Sequence, residues 1–327
     1  MPPLRLGLIG AGRWGRAYLR TLRDLPDLAL ARLCSSNPGS RSLVDPACRI
    51  TADWREVAEA RDLDGVIVCT PPALHAGMTG AAVRAGLPVM VEKPLTLDLE
   101  EARRLQETVE RAGVPVLVDH IHLFHPAYRA LKREAARLGP VRAIRSEGGS
   151  WGPFRKDTTS LWDYAPHDLA LCLDLMGGSP LRLAARVEES RQTPEGRGEN
   201  YALELEFPGG VRAGVRVGKI FPEKRRRFVS WFGECALVFD DLAPQRLVRH
   251  PLPEGWAGDP PLPEGPGEPV PHDYEPPLNA ALRAFARGVR GESLEGFGVG
   301  LGVEIVRLLK EAEGQLPPEG GSINPER

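Results

Sequence analysis

The stretch LRLGLIGAGRWGRAYLRTLRDL, residues 4–25, decides the fold. Its first six residues are a short apolar run. Gly10-Ala11-Gly12-Arg13-Trp14-Gly15 follows, and then a helical pattern, WGRAYLRTLRDL, that stops before Pro26. Strand, GxGxxG and helix in that order form the context that lifts a glycine pattern above chance. The glycines let the backbone turn tightly and approach a pyrophosphate, whose charge is met by the free N–H groups and positive dipole end of the helix.

A second apolar run, LALARLCSS at 28–36, ends in Ser35-Ser36-Asn37-Pro38. A fold that holds NAD usually presents Asp or Glu there for the ribose 2′-hydroxyl. No carboxylate stands at this tip, whereas Arg41 and Arg13 carry charge for a 2′-phosphate and Ser35 and Ser36 carry hydroxyls. The cofactor expected is NAD(P), with a lean to NADP. Two more repeats follow: DWREVAEA, the strand LDGVIVCT (63–70), the loop PPALH, the helix AGMTGAAVRAG and the strand LPVMVE (87–92). Alternating helices with near-continuous apolar strands predict an α/β Rossmann domain, a doubly wound parallel sheet over residues 1–120, with ligands beyond the carboxyl ends of its strands. Thr70, Pro71 and Lys93 stand at such ends.

The bulk numbers agree with a globular chain of two domains, since 327 residues exceed one ordinary domain and 42% are hydrophobic. The 42 basic and 44 acidic residues nearly balance, so nothing in the charge selects nucleic acid or an anionic membrane. No apolar run reaches the roughly 20 residues of a membrane span, and no secretory pattern opens the sequence, so a cytoplasmic location is expected. The five cysteines, Cys34, Cys48, Cys69, Cys172 and Cys235, are scattered. They read as buried thiols rather than a disulfide framework or a zinc ribbon.

GAGRWG, CTPPALHAG (69–77), EKP (92–94), VDHIHLFHPAYRALK (118–132) and LWDYAPHDLALCLDLMGG (161–178) together resemble the Gfo/Idh/MocA oxidoreductases, the family of glucose-fructose oxidoreductase and inositol dehydrogenase. WDYAPHD looks like the subset that oxidises sugars and nucleotide-sugars. The resemblance implies that Lys93 of EKP hydrogen-bonds the reacting oxygen, and that His167 accepts the proton with Asp163 as partner. Beside the glycine loop with its Trp14, it draws His75 and Glu92 into the cofactor site and Trp162 into the substrate site. The chemistry suits those residue types. Oxidising a secondary alcohol sends hydride to nicotinamide while a weakly acidic hydroxyl must lose its proton; a cation stabilises the developing alkoxide, and a histidine, unperturbed at about 6.5, takes the proton. A spacing of four sets Asp163 and His167 on one face if they start a helix, with Pro166 tolerated in the first turn.

His120, His122 and His125 offer HxH, two imidazoles on one side of a strand, but no cysteine or carboxylate cluster completes a four-ligand zinc site and no metal is expected. His122 is the choice for a substrate-lining residue, where many family members have an arginine near this point. Residues 121–327 read as an α+β domain with a largely antiparallel open sheet, one face under helices. Its runs are VRAIRSEG, LRLAARVEES, YALELEF and VRAGVRVGKI about a PGG turn, and RRFVSWFGECALVFDD. KRRRF (224–228) reads as the solvated side of a strand. Residues 251–277, with ten prolines, read as an extended loop or arm, two helices close the chain, and GGSINPER reads as a frayed end. The open sheet face suggests a homodimer or homotetramer. The function expected is hydride transfer between a nicotinamide and a hydroxyl or keto carbon of a sugar, cyclitol or nucleotide-sugar. The alternatives are a redox sensor without turnover and an NAD-assisted hydrolase or isomerase.

Overall fold

The protein is described from a computed structural model over residues 2–154, 158–253, 255–256, 260, 262–263, 265–293 and 298–317. GGSINPER lies outside the described residues. The chain divides into two compact units, Met1–Phe124 with Glu275–Val306, and His125–Tyr274 with Arg307–Arg327.

In the first unit the elements run β1 (Leu4–Ile9), α1 (Arg13–Arg23), β2 (Leu28–Cys34), β3 (Arg49–Thr51), α2 (Arg55–Ala58), β4 (Gly65–Val68), α3 (His75–Arg84), β5 (Val89–Glu92), α4 (Leu99–Ala112) and β6 (Val116–Asp119). All six strands are parallel, in the order β3-β2-β1-β4-β5-β6. Strands β4, β5 and β6 are buried throughout, as expected of strands covered on both faces. A Cβ on Gly7 of β1 would meet Val57 of α2, and α2, α3 and α4 pack side by side. A Cβ on Gly65 of β4 would meet Phe285 instead, so that ring covers β4 directly. Phe285 belongs to a late helix, Pro277–Val289, which packs beside α1. By sequence that helix falls within the second domain, 121–327; the fully buried Phe285 and its alanine-rich face hold it in the first unit.

The second unit contains α5 (Pro126–Leu138), β7 (Ala143–Trp151), α6 (Ser160–Met176), β8 (Arg182–Thr193), β9 (Gly196–Glu206), β10 (Arg212–Gly218), β11 (Ile220–Trp231), β12 (Cys235–Asp240), β13 (Leu247–Pro251) and β14 (Glu268–Pro269). The late helix is α7, and α8 spans Val299–Glu313. The eight strands run β14-β13-β12-β11-β7-β10-β9-β8, antiparallel except for the β7–β10 pair. The PGG turn joins β9 to β10 as anticipated, with Gly209 and Gly210 both at positive φ, where a side chain is strained.

Helix α6 packs on β7, β9 and β10, and α5 on β12 and β13. Phe228 stands edge-on to Tyr128 of α5, so strand alternation turns Val229 and Trp231 to the other face. There Leu252 and Trp256 of the proline-rich segment pack on the Val229–Trp231 cluster. The Trp256 indole N–H donates to the Phe232 carbonyl at 3.1 Å. The segment also contributes the two-residue strand β14, so it covers part of the sheet and is not simply an extended arm. Farther along that outer face lie ion pairs, Glu147 with Arg216 and Arg225, and Arg216 with Glu188.

Candidate active site

The first unit brings a turn and several strand ends to one edge of its parallel sheet. Gly10 closes β1 at φ 103°, a conformation that costs a residue with a Cβ dearly. A Cβ on Gly15 would lie 2.1 Å from the Gly10 carbonyl oxygen, so the first turn of α1 packs directly on the loop. Gly12 differs: it caps α1 in extended conformation and a Cβ there would meet nothing within 4 Å. The loop is thus tight where it must fold and open at Gly12, and no side-chain cap occupies the N-terminus of α1. Open backbone N–H groups at a helix start suit a pyrophosphate. Arg13 and Trp14 are exposed beside it.

At the tip of β2, Ser35 Oγ lies 2.7 Å from Ser40 Oγ and accepts from the Asn37 N–H at 3.2 Å, while Ser36 is exposed. Arg41 donates to the carbonyls of Cys48, at 2.8 Å, and Asp45. Thr70 and Pro71 follow β4. His75 is fully buried with Nδ1 2.8 Å from the Pro94 carbonyl and Nε2 2.9 Å from that of Thr70, linking the loops after β4 and β5. Burial holds this imidazole below its ordinary range, and a neutral ring donates to one carbonyl at a time.

Lys93 leaves the carboxyl end of β5, half-buried. Glu92, just before it, is buried against Tyr18 of α1, whose hydroxyl is 3.1 Å from Glu92 Oε1 and 2.5 Å from Asp119 Oδ2. Burial pushes the Glu92 and Asp119 carboxyls above their ordinary range, and Lys93 opposes the rise in both. His120 is 1% exposed, and burial first, Lys93 second, push it down to about 3. The strand ends at Asp119, and residues 121–124 form a 3-10 turn. His122 therefore does not share a strand face with His120, as the HxH spacing suggested. His125 caps α5 through the Ala127 N–H and pairs with Asp241 at 3.1 Å. No group of potential metal ligands forms among the described residues.

The second unit presents its chemistry on α6. Thr159 caps this helix, which begins at Ser160, so Pro166 lies in its interior and not in its first turn. Proline there deprives the Trp162 carbonyl of its helical donor. Asp163 and His167 share a face one turn apart, and His167 is 8% exposed. Asp163 Oδ2 lies 3.2 Å from Nζ of Lys219, a lysine 2% exposed in the bend between β10 and β11. Two backbone bonds fix that bend: the Lys219 N–H donates to Glu199, and the Lys219 carbonyl accepts from Gly152. Next to His167, the buried Asp168 accepts from Ser146 Oγ at 2.5 Å and pairs with Arg226 at 3.4 Å. Burial raises the Asp168 carboxyl and Arg226 opposes the rise. Arg226 is thus turned inward, against the expectation that KRRRF is a solvated side. Trp162 is buried, its indole N–H donating to Glu313 at 2.9 Å.

Sequence reasoning missed Lys219, Asp168, Arg226, Tyr18 and Asp119. Lys219 had a signal, a charged residue enclosed in the apolar run VRVGKI; Tyr18 read as one more apolar residue of α1.

A six-stranded parallel sheet with a glycine fingerprint in its first turn defines a Rossmann protein of the dinucleotide-binding class. The model of an oxidoreductase family with an NAD-binding Rossmann fold, Gfo/Idh/MocA, matches residues 4–120. The solved structure of a candidate oxidoreductase from Magnetospirillum magnetotacticum MS-1 superposes with a TM-score of 0.88 and 41% identity, over 94% of this chain and 99% of that one. Inositol 2-dehydrogenase from Rhizobium meliloti is 28% identical over 56% of this chain and 58% of its own length. UDP-N-acetylglucosamine 3-dehydrogenase from Acidithiobacillus ferrooxidans is 30% identical over 56% and 57%. The alignment spans little more than half the length of these two relatives. The chain belongs to the Gfo/Idh/MocA family of oxidoreductases.

Proposed function

We propose that this protein is an NAD(P)-dependent dehydrogenase acting on a secondary hydroxyl of a sugar, cyclitol or nucleotide-linked sugar. The observation that carries the reading is that Lys93 leaves β5 at the same carboxyl edge of the parallel sheet as the glycine turn after β1. Relatives named for inositol and UDP-N-acetylglucosamine supply the substrate class.

Gly10, Gly12, Arg13, Trp14 and Gly15 would hold the dinucleotide, with Thr70, Pro71 and the β2 tip around its nucleoside parts. The tight Gly10–Gly15 packing and the open space at Gly12 fit that group. A dinucleotide held there would supply or take up the hydride exchanged with the carbon that bears the reacting oxygen. Lys93 donates to that oxygen and stabilises its negative charge. His167 accepts the hydroxyl proton in oxidation and returns it in reduction. Asp163, held by Lys219, fixes the charge on the same face of α6. The β2 tip, which has serines and arginine where a carboxylate would select NAD, favours NADP. A homodimer or homotetramer working in the cytoplasm completes the reading.

The test is a fluorescence titration of nucleotide-free protein with NADPH and NADH. Absorbance assays would then use myo-inositol, scyllo-inositol and UDP-N-acetylglucosamine with each oxidised cofactor. The expected result is tighter binding of NADPH and reduction of one cofactor by at least one of these polyols. Binding of neither dinucleotide sinks the reading, and binding without turnover on any sugar or cyclitol favours a redox sensor.

A further inference from the structure

We propose that Glu92, Asp119 and Tyr18 form a positioning site for Lys93, in which the two carboxyls share a single proton at neutral pH and release it as the solution becomes alkaline. The register of β5 and β6 makes Glu92 and Asp119 direct neighbours, and both are buried, at 8% and 2% exposure. Tyr18, fully buried on α1, reaches both carboxyls with one hydroxyl.

That hydroxyl has one hydrogen. The shorter contact, 2.5 Å to Asp119 Oδ2, takes it. At 3.1 Å, Glu92 Oε1 then faces only the phenol's lone pairs, and an ionised Glu92 would set acceptor against acceptor. A protonated Glu92 resolves the conflict by donating to Tyr18, which donates to Asp119. Glu92 Oε2 remains an acceptor for the Lys93 backbone N–H at 3.2 Å. The directed chain Glu92, Tyr18, Asp119 places one proton on the pair, and two adjacent buried carboxylates disfavour losing it.

The groups that act on this pair come from each neighbouring strand end and from α1. Tyr18 is pushed well above its ordinary range by burial and stays a donor. The Cys69 thiol after β4 is pushed up by burial and stays neutral, as does His120, held near 3. Lys93 is the cation among them, and its field opposes the rise of both carboxyls. At neutral pH the pair thus carries one negative charge. In alkali it carries two, and the attraction between the pair and the Lys93 charge grows. Glu92, Asp119 and Tyr18 act through Lys93, so their catalytic consequence rests on the function proposed above; the shared proton does not.

Two measurements on the full chain test this without a substrate. Infrared difference spectra of the wild type across neutral pH are expected to show a protonated carboxyl band that persists at neutrality, disappears in alkali and is absent from Glu92→Gln. In Tyr18→Phe the band should shift, since its acceptor is gone. NMR titration of isotopically labelled lysine should show the proton affinity of Lys93 falling on the order of tenfold for each carboxylate charge removed, by Glu92→Gln and then by Glu92→Gln/Asp119→Asn. A wild-type spectrum without a neutral-pH carboxyl band overturns the shared proton, and an unchanged Lys93 titration in the double variant overturns the positioning role. If Glu92→Gln fails to fold, Tyr18→Phe carries the infrared test. Failure of NAD(P)H binding with the band present would sink the dehydrogenase reading and leave the proton pair standing.

Discussion

The two units present their candidate site residues by different means. In the first, each group is presented by the end of its own strand: the glycine turn after β1, Thr70 after β4 and Lys93 after β5. A parallel sheet brings successive carboxyl ends to one edge, so position along the chain nearly dictates position in space. In the second, one helix presents Asp163 and His167, and strands far away in sequence hold that helix's charges: Lys219 is 56 residues from Asp163 and Arg226 is 58 from Asp168. The first arrangement is written in local motifs. The second depends on which strand happens to lie under α6.

The largest effects should come from the presented groups. Lys93→Ala removes the cation proposed at the substrate oxygen and is expected to lower turnover by about 10²–10³-fold, with NADPH affinity within about twofold of wild type. Steady-state rates beside fluorescence titrations check this, and a parallel loss of dinucleotide affinity would move Lys93 to the cofactor. Gly12→Val tests the opposite quality, open space. A Cβ there meets nothing within 4 Å and the backbone is extended, so the melting temperature should stay near wild type. Dinucleotide affinity should fall roughly 100-fold or more, about 2.7 kcal/mol. A variant that melts early would show that the space at Gly12 is needed for folding.

These differences explain how much could be read from the sequence. GAGRWG is legible because a tight turn at Gly10 and close packing at Gly15 are demands that contiguous residues must meet. Lys93 and the Asp163–His167 spacing are legible for the same reason. The partners that tune them are not. Tyr18 occupies an apolar position of α1, and only the arrival of Glu92 and Asp119 on adjacent strands gives its hydroxyl a purpose. Arg226 sits in a basic run that looks solvated, and strand alternation sends one of its members inward to Asp168 while Arg225 pairs with Glu147. Pro166 suggests a helix start, yet Thr159 already caps α6 seven residues earlier, about two turns. The proline-rich segment has no period to read, and the apolar outer face of the sheet at Val229 and Trp231 decides that Trp256 packs there.

An intermediate effect should come from the buried support of α6. Lys219→Met keeps the length of the side chain and removes the charge opposite Asp163, which is 17% exposed. Breaking a fully buried pair costs about 3–5 kcal/mol; partial hydration of Asp163 should reduce this to roughly 2 kcal/mol, read from denaturant midpoints at constant slope. Adding Asp163→Asn should recover part of the loss, because the carboxylate no longer lacks its counterion. A strictly additive double variant would show that the two charges do not stabilise one another, and would make the second unit's helix as self-sufficient as the first unit's glycine turn.

The smallest effect is expected at the tip of β2, where sequence and geometry pull apart. The missing carboxylate leaves room for a 2′-phosphate, and Arg41 was the cation nearest in sequence to receive it. Its guanidinium is already directed to the carbonyls of Asp45 and Cys48, which it ties into the turn after β2. A charge engaged in that way must exchange made hydrogen bonds for new ones, so its net contribution to phosphate recognition is small. Arg41→Ala should therefore change the ratio of NADPH to NADH affinity by about threefold or less, on the order of 0.7 kcal/mol. Arg13, exposed at the first helical position of α1, makes no such exchange, and Arg13→Ala should alter the ratio more. If Arg41→Ala erased the preference while Arg13→Ala left it intact, the turn after β2 would have to rearrange when the dinucleotide binds. Recognition in the first unit would then depend on a conformational change, as well as on strand ends fixed in advance by the sheet.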